Sequence, residues 1–233
     1  RHQSPFPSWK VYTIMNKQNI WFCGVPGSKW SGVDTGLREV IDADRSDETD
    51  ERRFYHRPLN PNDLFNGHSG SYFGPGMGCG ENWIDFNYMT PAELQDDIDE
   101  IFTGEGIRVI KSHQFARHFN LDYIWNHFAG DYIALCYRES QKSFAWWCEV
   151  MDFTPEHYPD YRPAYTDYNH MRPLIFEENA KICDFAMRKG LQWELYNPPT
   201  SFSKIKGFNQ NKAKYMEANA NDIYITYAKI PEL

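Results

Sequence analysis

Asn19-Ile20-Trp21-Phe22-Cys23-Gly24-Val25 runs directly into Pro26-Gly27-Ser28-Lys29-Trp30, and then into Ser31 to Ile41. The first run is apolar and aromatic without interruption and stops at a Pro-Gly pair, which predicts a buried strand. The last carries Val33, Leu37, Val40 and Ile41 at helical spacing. A buried strand that turns within a few residues into an amphipathic helix is the opening unit of an α/β fold.

Similar units follow along the chain. Ile107-Arg108-Val109-Ile110 reads as a second buried strand and is followed by a helix from Leu121 to Phe128. Tyr132-Ile133-Ala134-Leu135-Cys136-Tyr137 reads as a third, followed by a helix from Ser140 to Val150 with an aromatic face. Thr90-Pro91-Ala92-Glu93 has the capping residues of a helix start, and Leu94, Ile98, Ile101 and Phe102 form the stripe behind it. A further helix is predicted from Leu174 to Lys189, and a last strand over Ile223 to Tyr227. Near-continuous apolar strands alternating with helices predict a mainly parallel sheet with helices on both faces, in three α/β/α layers. Residues 1–233 read as one domain, with a glycine- and aromatic-rich insertion at about 43–90 predicted as a long loop, a lid or a binding loop.

Composition narrows the function. Lys plus Arg number 24 against 32 Asp plus Glu, for a net charge of −8, which argues against non-specific nucleic-acid binding. An anion can still be held if cations gather locally. Asp42, Asp44, Asp47, Glu48 and Asp50 face only Arg45 in their stretch and read as a solvated loop. No apolar run approaches the roughly 18 residues of a membrane span. The five cysteines show no CxxC spacing, so neither a disulfide framework nor a thiolate zinc site is expected, and a reducing, cytoplasmic setting fits. His113, His118 and His127 make no H-E-x-x-H pair, and no metal site is expected.

Ligands of such sheets bind beyond the carboxyl ends of the strands, which singles out three places. Pro26, Gly27, Ser28, Lys29, Trp30 and Ser31 form a turn into a helix, with backbone N–H groups, a cation and hydroxyls suited to a phosphate. Lys111-Ser112-His113 places an ammonium and an imidazole at a strand mouth, one suited to charge stabilisation and the other to proton removal. Arg138 leaves the third strand just before a helix whose first turns carry Ser140 and Ser143, a second anion grip.

In this order the three motifs resemble those of sulfotransferases that use 3′-phosphoadenosine 5′-phosphosulfate (PAPS), closest to the soluble type. Pro26 and Ser28 match the family's P-K-S-G-T-T-W loop, Lys111-Ser112-His113 its K-T-H or K-S-H strand end, and Tyr137-Arg138-Glu139 its 3′-phosphate strand end. Lys204-Ile205-Lys206-Gly207 is a loose echo of its late Arg-Lys-Gly element. The chain departs from the pattern at Gly27, where the family usually has Lys, at Lys29, where it usually has Gly, and at Trp146, where it usually has Ser. The resemblance implies a P-loop-like fold and sulfuryl transfer from PAPS, without a metal, to a hydroxyl or amine of a small-molecule or saccharide acceptor, leaving adenosine 3′,5′-bisphosphate. It implies His113 as base and Lys111 with Lys29 as charge stabilisers. It also implies the residues from Pro26 to Ser31, with Arg138, Ser143 and Lys206, as nucleotide contacts. Aromatic residues between His68 and Tyr88, with Trp146, Trp147, Tyr158, Tyr161 and Tyr165, are candidates for an acceptor pocket. Two alternatives compete: a nucleotide-binding module of the same fold without the chemistry, and a P-loop kinase, which would need the Gly-Lys-Ser/Thr ending that is missing here.

Overall fold

The computed structural model describes residues 17–48, 54–57, 60–66, 70, 89–117, 119–150, 167–214 and 221–232. In chain order the elements are β1 (Asn19–Gly24), α1 (Trp30–Val40), β2 (Phe54–Arg57), β3 (Asn60–Asn66), α2 (Pro91–Ile101), β4 (Arg108–Lys111), α3 (Asn120–His127), β5 (Tyr132–Arg138), α4 (Ser140–Val150), α5 (Tyr168–Arg188), β6 (Glu194–Leu195), α6 (Gln210–Ala213) and β7 (Ile223–Lys229). A single 3₁₀ turn over His113–Ala116 follows β4.

The fold is α/β, but the sheet is mixed, not mainly parallel. Its order is β4-β1-β5-β7-β6. β1 runs parallel to β4 and to β5, whereas β7 is antiparallel to both β5 and β6. The direction of β7 shows in its burial. Ile223 and Ile225 are buried while Tyr224 between them is exposed, the one-sided pattern of an antiparallel strand, whereas β1 is buried at every position.

Side chains alternate across the sheet and build two apolar clusters. Trp21, Cys23, Ile110, Ile133 and Leu135 pack on one side with Leu94, Ile98, Leu121, Ile124, Ile175 and Ile182 from α2, α3 and α5. Ile20, Phe22, Val109, Ala134 and Cys136 pack on the other with Val33 and Leu37 of α1. The cap on α2 is reciprocal: Thr90 accepts from the Glu93 N–H, and the Glu93 carboxylate accepts from the Thr90 N–H. α5 begins six residues earlier than the sequence predicts. Asp167 accepts from the Asn169 N–H and starts the helix, and Pro173 lies within it, a position that reads as a boundary in sequence.

Part of the 43–90 insertion is a strand pair, with β2 and β3 forming a separate antiparallel ladder. The aromatic residues of His68 to Tyr88, and Tyr158, Tyr161 and Tyr165, lie outside the described residues. The acidic stretch from Asp42 is not wholly solvated. Asp44 and Asp47 are buried, and Asp47 accepts from Arg38 Nη1 at 2.8 Å and Nη2 at 3.1 Å.

Arg38 is the centre of a buried ionic network. It also donates to Asp34 at 2.9 Å and to the Val109 carbonyl at 2.9 Å, and Asp34 in turn holds the Lys111 ammonium. Burial pushes the Asp34 carboxyl up, but Arg38 and Lys111 outweigh it and hold it below its ordinary value. Two carboxylates and two cations balance, so α1, β4 and the segment after α1 are joined without net buried charge. Replacing Arg38 by Met is expected to leave Asp34 and Asp47 undercompensated and to cost about 3–5 kcal/mol, read as a fall in the urea midpoint. A loss below about 1 kcal/mol, the scale of an exposed pair, would show that water reaches the network.

Candidate functional site

The parallel pairings set the three sequence-predicted strand ends side by side. Lys111 pairs with Phe22, and Cys136 with Gly24, so the carboxyl ends of β4, β1 and β5 form one edge. At that edge the turn after β1 is held tightly. Ser28 donates from both its N–H and its hydroxyl to the Val25 carbonyl, at 3.1 Å and 2.7 Å. Its hydroxyl therefore closes the turn. Gly27 has φ +77°, and a β-carbon there would lie 2.0 Å from the Ser143 carbonyl oxygen, which no side chain tolerates. This contact sets the turn against the first turns of α4. Ser143 is buried, and its hydroxyl donates to the Arg138 carbonyl at 3.1 Å. Pro26 is buried and Ser31 half-buried. Trp30 is buried and stacks on Phe22 in the core.

Lys29 has φ 61° and ψ 20°, the left-handed conformation that costs an ordinary residue about 1–2 kcal/mol. It is the position where the resemblance puts glycine. Its ammonium lies over the Trp146 ring, 4.4 Å from the centroid. Trp146, at the place the resemblance gives to Ser, therefore carries a cation contact; neighbouring Trp147 is core. Arg138 is nearly buried. Its Nη1 faces the carbonyls of Lys142 at 3.3 Å and Gly27 at 3.5 Å. Its Nε and Nη2 both donate to Asp222 Oδ2, at 3.0 Å and 2.8 Å, and Lys142 Nζ lies 3.7 Å from the same oxygen. Burial raises the Asp222 carboxyl, but Arg138, Lys142 and Lys29 together draw it below its ordinary value. Lys29, Arg138 and Lys142 thus converge at the starts of α1 and α4, where backbone N–H groups add positive potential.

The other sequence-predicted residues do not join that cluster. Lys111 points to the α1 side of the sheet, fully buried, with its ammonium on Asp34. Burial lowers its pKa against the opposing pull of Asp34. His113 is buried on the α5 side, its Nδ1 3.4 Å from Glu178 Oε2. Arg117 Nε donates to the other oxygen of Glu178 at 2.8 Å. Lys206 sits at the opposite end of the sheet. Its N–H meets the hydroxyl of Tyr132, the first residue of β5, and the adjacent Gly207 lies against Asp42, just beyond the C-terminal end of α1.

Three functional candidates are not apparent from the motifs. Lys142 lies between Ser140 and Ser143 on α4 and matches no motif residue. Glu178 is an acid on an apolar stripe with Met171, Ile175 and Ile182, and that misfit is a legible signal of a buried partner. Asp222 reaches Arg138 only because β7 is antiparallel. Among the described residues, no group of three or more His, Cys, Asp and Glu side chains is placed to hold a metal ion, and no helix is long and apolar enough to cross a membrane.

Burial is the largest influence on His113 and lowers its pKa; Glu178 pulls it up and Arg117 down. With the folded value below the unfolded one, the unfolded chain takes up the proton first as pH falls. His113 therefore removes stability as pH drops below about 6.5, until the folded chain is protonated too. His113→Gln is expected to flatten the fall in urea midpoint between about pH 7 and pH 5. An unchanged slope would mean that the imidazole titrates as if in water.

No protein-family model matches this chain, and neither the curated proteins nor the solved structures contain a match.

Proposed function

We propose that this chain binds PAPS across the carboxyl ends of β1 and β5 and transfers its sulfuryl group to a hydroxyl or amine of a small-molecule or saccharide acceptor. The observation that carries this reading is the meeting of the Pro26–Ser31 turn with Arg138 and the first turns of α4, which brings Lys29, Arg138 and Lys142 to one edge. A nucleotide phosphorylated on both sides of its ribose needs two anion sites. Lys29 and the start of α1 supply one; Arg138, Lys142 and the start of α4 supply the other. A three-layer, P-loop-like fold belongs to the same reading. The left-handed Lys29 supports it, since the turn keeps a glycine-like backbone and adds a cation.

In this reading the acceptor oxygen or nitrogen gives its proton to His113 as its bond to sulfur forms. The bond from sulfur to the phosphate oxygen breaks, and adenosine 3′,5′-bisphosphate leaves with the electron pair. Lys29 stabilises the charge gathering on that leaving oxygen. Glu178 supports the imidazolium that His113 becomes. Catalysis rests on positioning and fixed charge.

A second reading, binding without transfer, is favoured by one observation: the Lys111 ammonium is committed to Asp34 in the core. Two measurements separate the readings. Adenosine 3′,5′-bisphosphate at about 100 times its Kd should stabilise the chain by about 2.7 kcal/mol, a rise of several degrees in Tm that ATP with magnesium does not reproduce and Arg138→Gln abolishes. No shift with the bisphosphate would overturn both readings. With binding established, transfer of labelled sulfate from PAPS across an acceptor panel decides between them. His113→Ala should then slow transfer about 10²–10⁴-fold, and an unchanged rate would remove His113 from the chemistry. Lys29→Gly should raise unfolding stability by about 1 kcal/mol while weakening bisphosphate binding. Weaker binding with no gain in stability would mean that the left-handed turn carries no strain.

A further inference from the structure

The direction of β7 brings an acid into the proposed anion site. Because β7 runs against β5, its first residue pairs with the last residue of β5, Ile223 with Arg138. Asp222, one residue earlier, therefore stands at the same edge as the carboxyl ends of the parallel strands. Its Oδ2 accepts from both Nε and Nη2 of Arg138, the side-on edge of the guanidinium. That edge is one of two through which arginine grips an oxyanion with paired N–H groups. Nη1, which the other edge requires, is turned to the carbonyls of Gly27 and Lys142. An oxyanion that takes Arg138 in paired fashion must therefore take the place of the Asp222 carboxylate. The same carboxylate lies 3.7 Å from Lys142 Nζ, so its departure frees a second cation.

We propose that Asp222 is an internal stand-in for a ligand phosphate: it occupies Arg138 in the ligand-free chain, is displaced when a phosphorylated nucleotide binds, and sets the charge that a ligand must carry. This rests on reading the strand ends as an anion site. Lys29, Arg138 and Lys142 against Asp222 leave a net charge of about +2, which suits a ligand able to deliver a full phosphate dianion to Arg138. A weaker anion gains too little to displace a carboxylate already seated there. Asp222 is 27% exposed at its side chain, so water can solvate it as it leaves. It stands just ahead of β7 and not in the middle of a strand, so a change of backbone there need not break the β5–β7 ladder.

The test is isothermal titration of the full chain with adenosine 3′,5′-bisphosphate, and separately with inorganic sulfate, for the unaltered chain and for Asp222→Asn. Asparagine keeps the shape and removes the charge. The expected result is bisphosphate binding about tenfold tighter in Asp222→Asn, with the gain lost when Arg138→Gln is added. Unchanged or weaker binding in Asp222→Asn overturns the proposal and makes Asp222 a group that orients Arg138. Circular dichroism checks folding, and Asp222→Ser takes the place of a variant that does not fold. If sulfate shows the tenfold gap while the bisphosphate binds neither protein, the displacement stands and the nucleotide reading falls. If neither anion binds either protein, both fall.

Discussion

A glycine without room for a β-carbon organises the strand ends. Gly27 lies so close to the Ser143 carbonyl that any side chain would force the turn after β1 away from α4. The contact joins two strand-to-helix connections that are far apart in sequence. With it in place, Lys29 is carried to Trp146 on α4 and the Gly27 carbonyl comes within reach of Arg138. Both helices then begin at the same edge, and the positive potential of their first turns adds to the lysines and the arginine. None of these groups would gather anions well alone in a chain of net charge −8. Their convergence makes a local field whose sign is opposite to that of the molecule, and screening over about 10 Å at 0.1 M salt limits what the distant acids can subtract.

The buried ions divide labour between the two faces of the sheet. On the α1 side, Asp34, Arg38, Asp47 and Lys111 neutralise one another in the core. Breaking one member leaves a buried charge exposed to its own desolvation, which is why the network holds α1 against β4 firmly. On the α5 side, Glu178 stands between His113 and Arg117. Lys111 and His113 are two residues apart and lie on opposite faces. The K-S-H spacing hides this, because an extended strand end turns successive side chains to alternate sides and the 3₁₀ turn then redirects the imidazole.

Much of the fold is legible in the sequence. β1, β4 and β5 read as strands because each is buried and apolar, and the capped α2 and the helices after β4 and β5 come from spacing and end signals. Strand direction is the part that misleads. Ile223-Tyr224-Ile225 alternates, and an alternating run argues for one covered face and an antiparallel neighbour, but the preceding apolar strands set the expectation of parallel pairing. Distance in sequence hides the rest. Nothing near Asp47 announces Arg38 as its partner, and nothing near Asp222 announces Arg138. The start of α5 is hidden because Pro173 reads as a boundary, although Asp167 supplies the cap.

The reversed direction of β7 has the largest consequence for the site. In a wholly parallel sheet every strand would deliver its carboxyl end to the ligand edge, and that edge would receive only residues that come after a strand. An antiparallel strand delivers its amino end, so the residue before it enters the site as well. Here that residue is an aspartate, set among three cations. A carboxylate in that place keeps the guanidinium paired in the empty chain, where an unpaired, nearly buried arginine would be costly. The same pairing makes any incoming oxyanion compete with an internal one. Affinity at such a site is a difference between two ion pairs, so it depends on how much stronger the ligand's charge is than a single carboxylate. A sheet with one reversed strand thus gives the edge a threshold, which a strictly parallel sheet of the same cations would lack.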